Sequence, residues 1–160
     1  GGGMNKYVFL DFDGVLNSTR NAYAFQQKAF NADGLDHTCL KLVEDLCQRS
    51  GAEVVVSSTW RMGRTEDWFR GLFAAYGVKI TIAGMTPRLR SDLRGDEVKA
   101  WLSDKGECLY VCIDDDSDFH DDQPLIKTSH EIGFTHRDME SALQMLGCHD
   151  EVNAIRSGAA

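Results

Sequence analysis

The stretch Lys6-Tyr7-Val8-Phe9-Leu10-Asp11-Phe12-Asp13-Gly14 constrains this chain more tightly than any other. Val8, Phe9 and Leu10 form a continuous apolar run, the pattern of a strand buried on both faces. The run stops at two carboxylates one residue apart, and Gly14 lets the backbone turn sharply after them. Carboxylates buried at a strand end are costly unless a cation or hydrogen bonds compensate. Asp and Gly are also ordinary turn formers. What separates an acidic turn from a working site is whether matching groups recur downstream.

The remaining chain alternates strand and helix signals. Asp36 stands as an N-cap before Leu40, Val43, Leu46 and Cys47 at helical spacing, and Gly51 sits at the C-terminal cap. Glu53-Val54-Val55-Val56-Ser57-Ser58 is β-branched and predicts a second buried strand. A helix from Thr65 carries Trp68, Phe69, Leu72, Phe73 and Tyr76 on one side. Residues 78–82 predict a third strand, 96–104 a helix, 108–113 a fourth strand and 124–128 a short fifth. Thr135 caps a last helix through Met139, Leu143 and Leu146, stopped by Gly147. Residues 17–34 predict a flap in which Tyr23, Phe25 and Phe30 fold back onto the core. Gly1-Gly2-Gly3 before Met4 reads as a cloning scar, residues 4–149 as one domain, and residues 150–160 as a mobile tail with little core. The expected fold is α/β: a doubly wound, mainly parallel sheet of about five strands with helices on both faces.

Composition narrows the function classes. The formal charge of −8 argues against indiscriminate binding of polyanions, although it permits a local basic patch. No apolar run reaches membrane-spanning length, so no membrane partner is expected. The five cysteines show no Cys-x-x-Cys, and the five histidines no metal-ligand spacing, which points to a reducing, cytoplasmic setting. Nothing marks an obligate protein partner.

In doubly wound sheets, ligands bind beyond the carboxyl ends of the strands, where the strand order reverses. Asp11 and Asp13 end the first strand, Ser57 and Ser58 the second, and Asp114 and Asp115 the fourth. With the first strand between the other two, all three sets meet in one crevice. Carboxylates crowded there stay ionised only around a cation, and all-oxygen ligation favours Mg²⁺. Arg61 and Arg64 follow the serines, and Arg88, Arg90 and Arg94 follow the third strand. Guanidinium groups suit the forked recognition of phosphate. A metal, two carboxylates, a hydroxyl and fixed positive charge are the parts of phosphoryl transfer through an aspartyl-phosphate.

Asp11-Phe12-Asp13-Gly14-Val15-Leu16 resembles the first signature of the haloacid dehalogenase-like (HAD) phosphohydrolases. Residues 54–58 resemble the second, Arg94 fits the basic third, and Ile113-Asp114-Asp115 the acidic fourth. The subgroup most similar is the HAD domain of RNA-repair and polynucleotide-phosphatase proteins, with its Ser-Ser-x-Trp-Arg after the second strand. The resemblance implies that Asp11 attacks phosphorus and that Asp13 serves as general acid, then base. It implies that Asp11, the main-chain carbonyl of Asp13 and Asp115 hold Mg²⁺, with Asp114 beside them. Ser58 would bind phosphoryl oxygens and Arg94 would offset transition-state charge, with Arg61, Arg64, Arg90 and Ser57 as further substrate contacts. Ser57 is the alternative to Ser58, Lys99 or Arg90 to Arg94, and Asp116 or Asp118 to the second acid of the last motif. Val15 stands where the family usually has Thr.

The windows in which relatives insert a cap domain, residues 17–34 and 84–94, are too short for one. An open crevice suits the end of a macromolecule, so a polynucleotide 3′-phosphate or a nucleotide is the expected substrate. A protein phosphatase of the same fold is the nearest rival. A non-catalytic phospho-receiver or binding module is another, although it would leave Asp13 without a task.

Overall fold

The computed structural model describes residues 3–20, 34–91 and 93–158. Five parallel strands form one sheet: β1 (Asn5–Leu10), β2 (Glu53–Val56), β3 (Ile82–Met85), β4 (Cys108–Asp114) and β5 (Leu125–Lys127), in the order β3-β2-β1-β4-β5. Among the described residues the helices are α1 (His37–Ser50), α2 (Glu66–Ala75), α3 (Arg94–Leu102), α4 (His136–Met145) and α5 (His149–Arg156). The fold is the expected α/β architecture with a parallel five-stranded sheet, and no separate cap domain occurs among the described residues.

β1 is central because its sequence tolerates no solvent. Val8, Phe9 and Leu10 are at most 1% exposed, and fully burying such side chains stabilises by about 1.5–3 kcal/mol each. The chain winds outward from β1 to β2 and β3, then crosses back to β4 on the far side of β1. Right-handed crossovers in opposite directions deliver helices to opposite faces. Thus α3 covers one face, with Val98 and Trp101 against Tyr7, Phe9, Val55 and Cys112. Leu40, Val43 and Leu46 of α1, Phe69 and Phe73 of α2, and Met139 and Leu143 of α4 cover the other.

Local chemistry fixes the helix ends. The Asp36 side chain accepts from Thr38 N, and Gly51 closes α1 in the left-handed conformation at φ 76°. Thr65 caps α2, and Thr135 with Asp138 forms a capping box on α4.

Two expectations need correction. The third strand begins at Ile82, not at residue 78, because β2 starts only at Glu53 and offers residues 78–80 no ladder; Lys79 N donates to Glu44 instead. Burial still alternates from Val78 to Thr86, which is the pattern the sequence displays. The expected tail, residues 150–160, is not coreless where it is described, up to residue 158: α5 buries Val152 to 1% exposure and ties Glu151 to Arg49. Tyr23, Phe25 and Phe30 lie outside the described residues.

Candidate active site

Three strand ends build the site. Leu10 is in register with Val56 on one side and Ile113 on the other, so the next residues, Asp11, Ser57 and Asp114, stand abreast. The ladder continues past the strands: Asp11 N donates to Ile113 O at 3.0 Å and Ser57 N to Leu10 O at 3.1 Å. Phe9, Val55 and Cys112 pack on the α3 face. Asp11, Ser57 and Asp114 each lie two residues further on, so pleat alternation points them to that same face, over the start of α3.

Arg94 opens α3 and meets them there. Its Nη1 lies 3.0 Å from Asp11 Oδ1 and 2.6 Å from Asp114 Oδ2. Asp114 Oδ1 accepts from Asp116 N at 3.0 Å. Carboxylate oxygens of Asp11, Asp114 and Asp115 all lie within 4.8 Å of one another. Burial pushes the Asp11 carboxyl up, against the pull of Arg94. Burial and the neighbouring Asp11 push Asp114 up to about 8. Burial pulls Arg94 down, but Asp114 and Asp11 more than reverse this and hold it above its ordinary range. One guanidinium does not neutralise three clustered carboxylates, so the group is short of positive charge.

That deficit fits a divalent ion. The donors are all hard oxygens, the set that suits Mg²⁺. Gly14 has φ +78°, and a Cβ built on it would fall 2.2 Å from Asp115 Oδ2. Only glycine lets this loop approach that carboxylate so closely. Thr128 Oγ1 donates to Gly14 O at 2.7 Å and fixes the loop from behind.

Asp13 stands at the exposed mouth, and its side chain does not join the acidic group. Its Oδ1 accepts from Asn17 Nδ2 at 2.9 Å and from Trp60 Nε1 at 3.1 Å. Asn17 Oδ1 in turn accepts from Gly14 N at 2.9 Å. The sequence reading missed both partners. Asn17 had a local signal, being four residues from Asp13 in a turn; Trp60 had none, being 47 residues away.

The other predicted residues are placed as follows. Ser58 is fully buried, and its Oγ caps the 3-10 turn Thr59–Arg61 by accepting from Trp60 N at 3.1 Å. Ser57 alone of the pair shares the Asp11 face. Arg61, expected to touch substrate, is buried instead: its guanidinium donates to Thr86 O at 2.9 Å, Ser58 O at 2.8 Å and Glu97 Oε1 at 3.0 Å. Five internal acceptors, Ser57 O and Pro87 O being the others, leave it committed to the protein. Arg64 lies over the Trp68 ring at 4.0 Å from its centroid and over Trp60 at 5.6 Å, apart from the acids. Lys99 and Arg90 are exposed, whereas Arg94 makes the carboxylate contacts. Asp116 is exposed, and Asp118 caps α3 by accepting from Arg94 N at 3.3 Å. A cleft of about 510 Å³ opens beside Arg94, lined by Met62, Arg88, Leu89, Arg90, Glu97 and Asp118 among others.

A family model described as the HAD domain in Swiss Army Knife RNA repair proteins matches residues 7–139. No curated protein and no solved structure matches the chain significantly.

Proposed function

The chain belongs to this HAD domain family of RNA-repair type, and from that premise we propose that it is an Mg²⁺-dependent phosphomonoesterase that removes terminal phosphates, above all 3′-phosphates, from polynucleotide ends. The observation that carries this reading is the convergence of Asp11, Asp114, Asp115 and Arg94 at adjacent strand ends. Asp11, Asp115 and the main-chain carbonyl of Asp13 would hold the ion, with Asp114 beside them. Bound there, Mg²⁺ supplies charge neutralisation for the phosphoryl group.

The chain's own groups account for the remaining chemistry. Arg94 engages Asp11 Oδ1, which leaves Oδ2 to attack phosphorus. The new O–P bond forms as the bond to the leaving oxygen breaks, and Asp13 gives that oxygen a proton. Asp13, now a carboxylate, takes a proton from water. The resulting hydroxide-like oxygen attacks phosphorus, the bond to Asp11 breaks, and inorganic phosphate leaves. Ser57, on the same face as Asp11, takes the phosphate-binding role in preference to Ser58, whose hydroxyl is engaged as a cap. Acid–base help of this kind is worth about 10²–10⁴ in rate.

The test is hydrolysis of a 3′-phosphorylated oligonucleotide with Mg²⁺, set against Asp11→Asn. Release of phosphate by the wild type and at least a hundredfold loss in the variant are expected. Equal inertness of both proteins would overturn the reading, and turnover of phosphopeptides alone would replace it with a protein phosphatase.

A further inference from the structure

We propose that the cleft beside Arg94 is a subsite for the nucleotide next to the terminal phosphate of a single-stranded polynucleotide, with Arg88 and Arg90 on its phosphodiester and Met62 and Leu89 against its base. The proposal rests on the phosphohydrolase reading above and extends it to a surface outside the acidic group.

The location comes first. Arg94, which holds Asp11, also lines the cleft. The space therefore lies next to the acidic group, with Arg94 as the residue common to both. Its volume of about 510 Å³ is of the size that takes an organic ligand.

The lining has the two chemistries that single-stranded nucleic acid requires, a cationic track and apolar platforms for bases. On a chain of net charge −8, Arg88 and Arg90 stand exposed on one wall. Of the cleft's own carboxylates, Glu97 is engaged through both oxygens and Asp118 through Oδ2, while Asp118 Oδ1 is buried without a hydrogen-bond partner among the described residues. Glu97 bonds Arg61 at 3.0 Å and Leu89 N at 3.1 Å, and Asp118 accepts from Arg94 N at 3.3 Å. Among the described residues neither Arg88 nor Arg90 forms a salt bridge with a carboxylate, and both side chains are exposed. Met62 and Leu89, at 39% and 38% exposure, are among the few large apolar side chains left open to solvent. Arg88 Nη1 lies 3.9 Å from Met62 Sδ, which puts cation and thioether side by side. A thioether makes favourable contacts with aromatic rings.

The buried ion pair braces the main chain of this wall. Arg61 holds the main chain at Thr86 and Pro87, and Glu97 holds it at Leu89. Arg88 thus stands between braced main-chain positions and Arg90 directly after one, and bracing of this kind lowers the ordering cost of binding.

The experiment compares a nucleoside 3′-monophosphate with a 3′-phosphorylated trinucleotide, each with Mg²⁺, in the wild type and in R88A/R90A. The wild type is expected to favour the trinucleotide at least tenfold in kcat/KM. The double variant should lose at least fivefold of that preference, through KM. Equal efficiency on both substrates, or a preference that survives in R88A/R90A, would overturn the subsite. A second readout needs no turnover: anisotropy of a 5′-fluorescein, 3′-phosphorylated trinucleotide at 50 and 200 mM salt. Salt-dependent binding at least tenfold weaker in R88A/R90A supports the subsite, and equal binding refutes it. Failure of the wild type to hydrolyse either substrate would count against the phosphohydrolase reading, while the anisotropy still decides the cleft.

Discussion

The indole Nε1 of Trp60 donates to Oδ1 of Asp13 at 3.1 Å, across 47 residues of sequence. With Asn17 on the same oxygen, this aims the carboxyl that the proposed mechanism uses twice. Trp60→Phe keeps an aromatic ring to pack on Phe12, which lies 5.1 Å from the indole, and removes the N–H together with the five-membered ring that carries it. A net hydrogen bond is worth about 0.5–1.5 kcal/mol, so kcat should fall about three- to tenfold with KM within twofold. Steady-state kinetics on the 3′-phosphorylated oligonucleotide check this. An unchanged kcat would mean that Asp13 does not depend on the indole.

Among the described residues Arg94 is the single cation paired with Asp11 and Asp114. Removing one partner of a buried ion pair costs about 3–5 kcal/mol, because the remaining charge is uncompensated. Arg94→Ala should therefore abolish activity and lower the melting temperature, more at pH 8 than at pH 5, where the carboxyls escape the penalty by protonating. Arg94→Lys should recover part of the stability. Differential scanning fluorimetry at the two pH values distinguishes this from a loss of packing, which would be equal at both.

The metal-free protein should lose stability as pH rises. Burial raises Asp11, and burial with Asp11 raises Asp114 to about 8. The folded state therefore holds more protons than the unfolded one between the ordinary carboxyl value of 3.8 and about 8, and stability contributed below that window disappears across it. In EDTA, Asp114→Asn should lie above the wild type at pH 8 and converge with it near pH 4. Added Mg²⁺ should stabilise the wild type increasingly with pH, because it competes with protons for the same oxygens. Parallel melting curves for the two proteins in EDTA would contradict the burial argument.

Gly14 combines φ +78° with an approach that a Cβ would close to 2.2 Å from Asp115 Oδ2. Gly14→Ala brings about 1–2 kcal/mol of left-handed strain and also displaces the Asp115 carboxylate. Mg²⁺ affinity should fall at least tenfold while circular dichroism stays native. Titration calorimetry reads the affinity, and retained affinity would place the ion elsewhere.

The fold was legible where side-chain pattern and backbone geometry share a cause. The β-branched run of residues 54–56, the capping residues Asp36, Thr65 and Thr135, and the apolar core of β1 announce themselves locally. Strand β3 was misplaced because alternation reports which side is buried, not where a partner's ladder begins. For the candidate site, the sequence offered residue types at strand ends. It could not choose between Ser57 and Ser58, since that choice depends on the face on which α3 packs. Nor could it separate Arg61 from Arg88 and Arg90: a guanidinium that holds a loop and one left exposed look alike until their acceptors are known.

Asp11 and Asp114 are neighbours in space only because β1 and β4 are neighbours in the sheet. During synthesis the first strand emerges early, yet its central place stays half empty until the fourth has cleared the ribosome. A chain released before that point would expose the flank of its most apolar segment, an invitation to aggregate, and would lack the acidic cluster. The acidic cluster is therefore assembled in one late step, when the fourth strand pairs with the first.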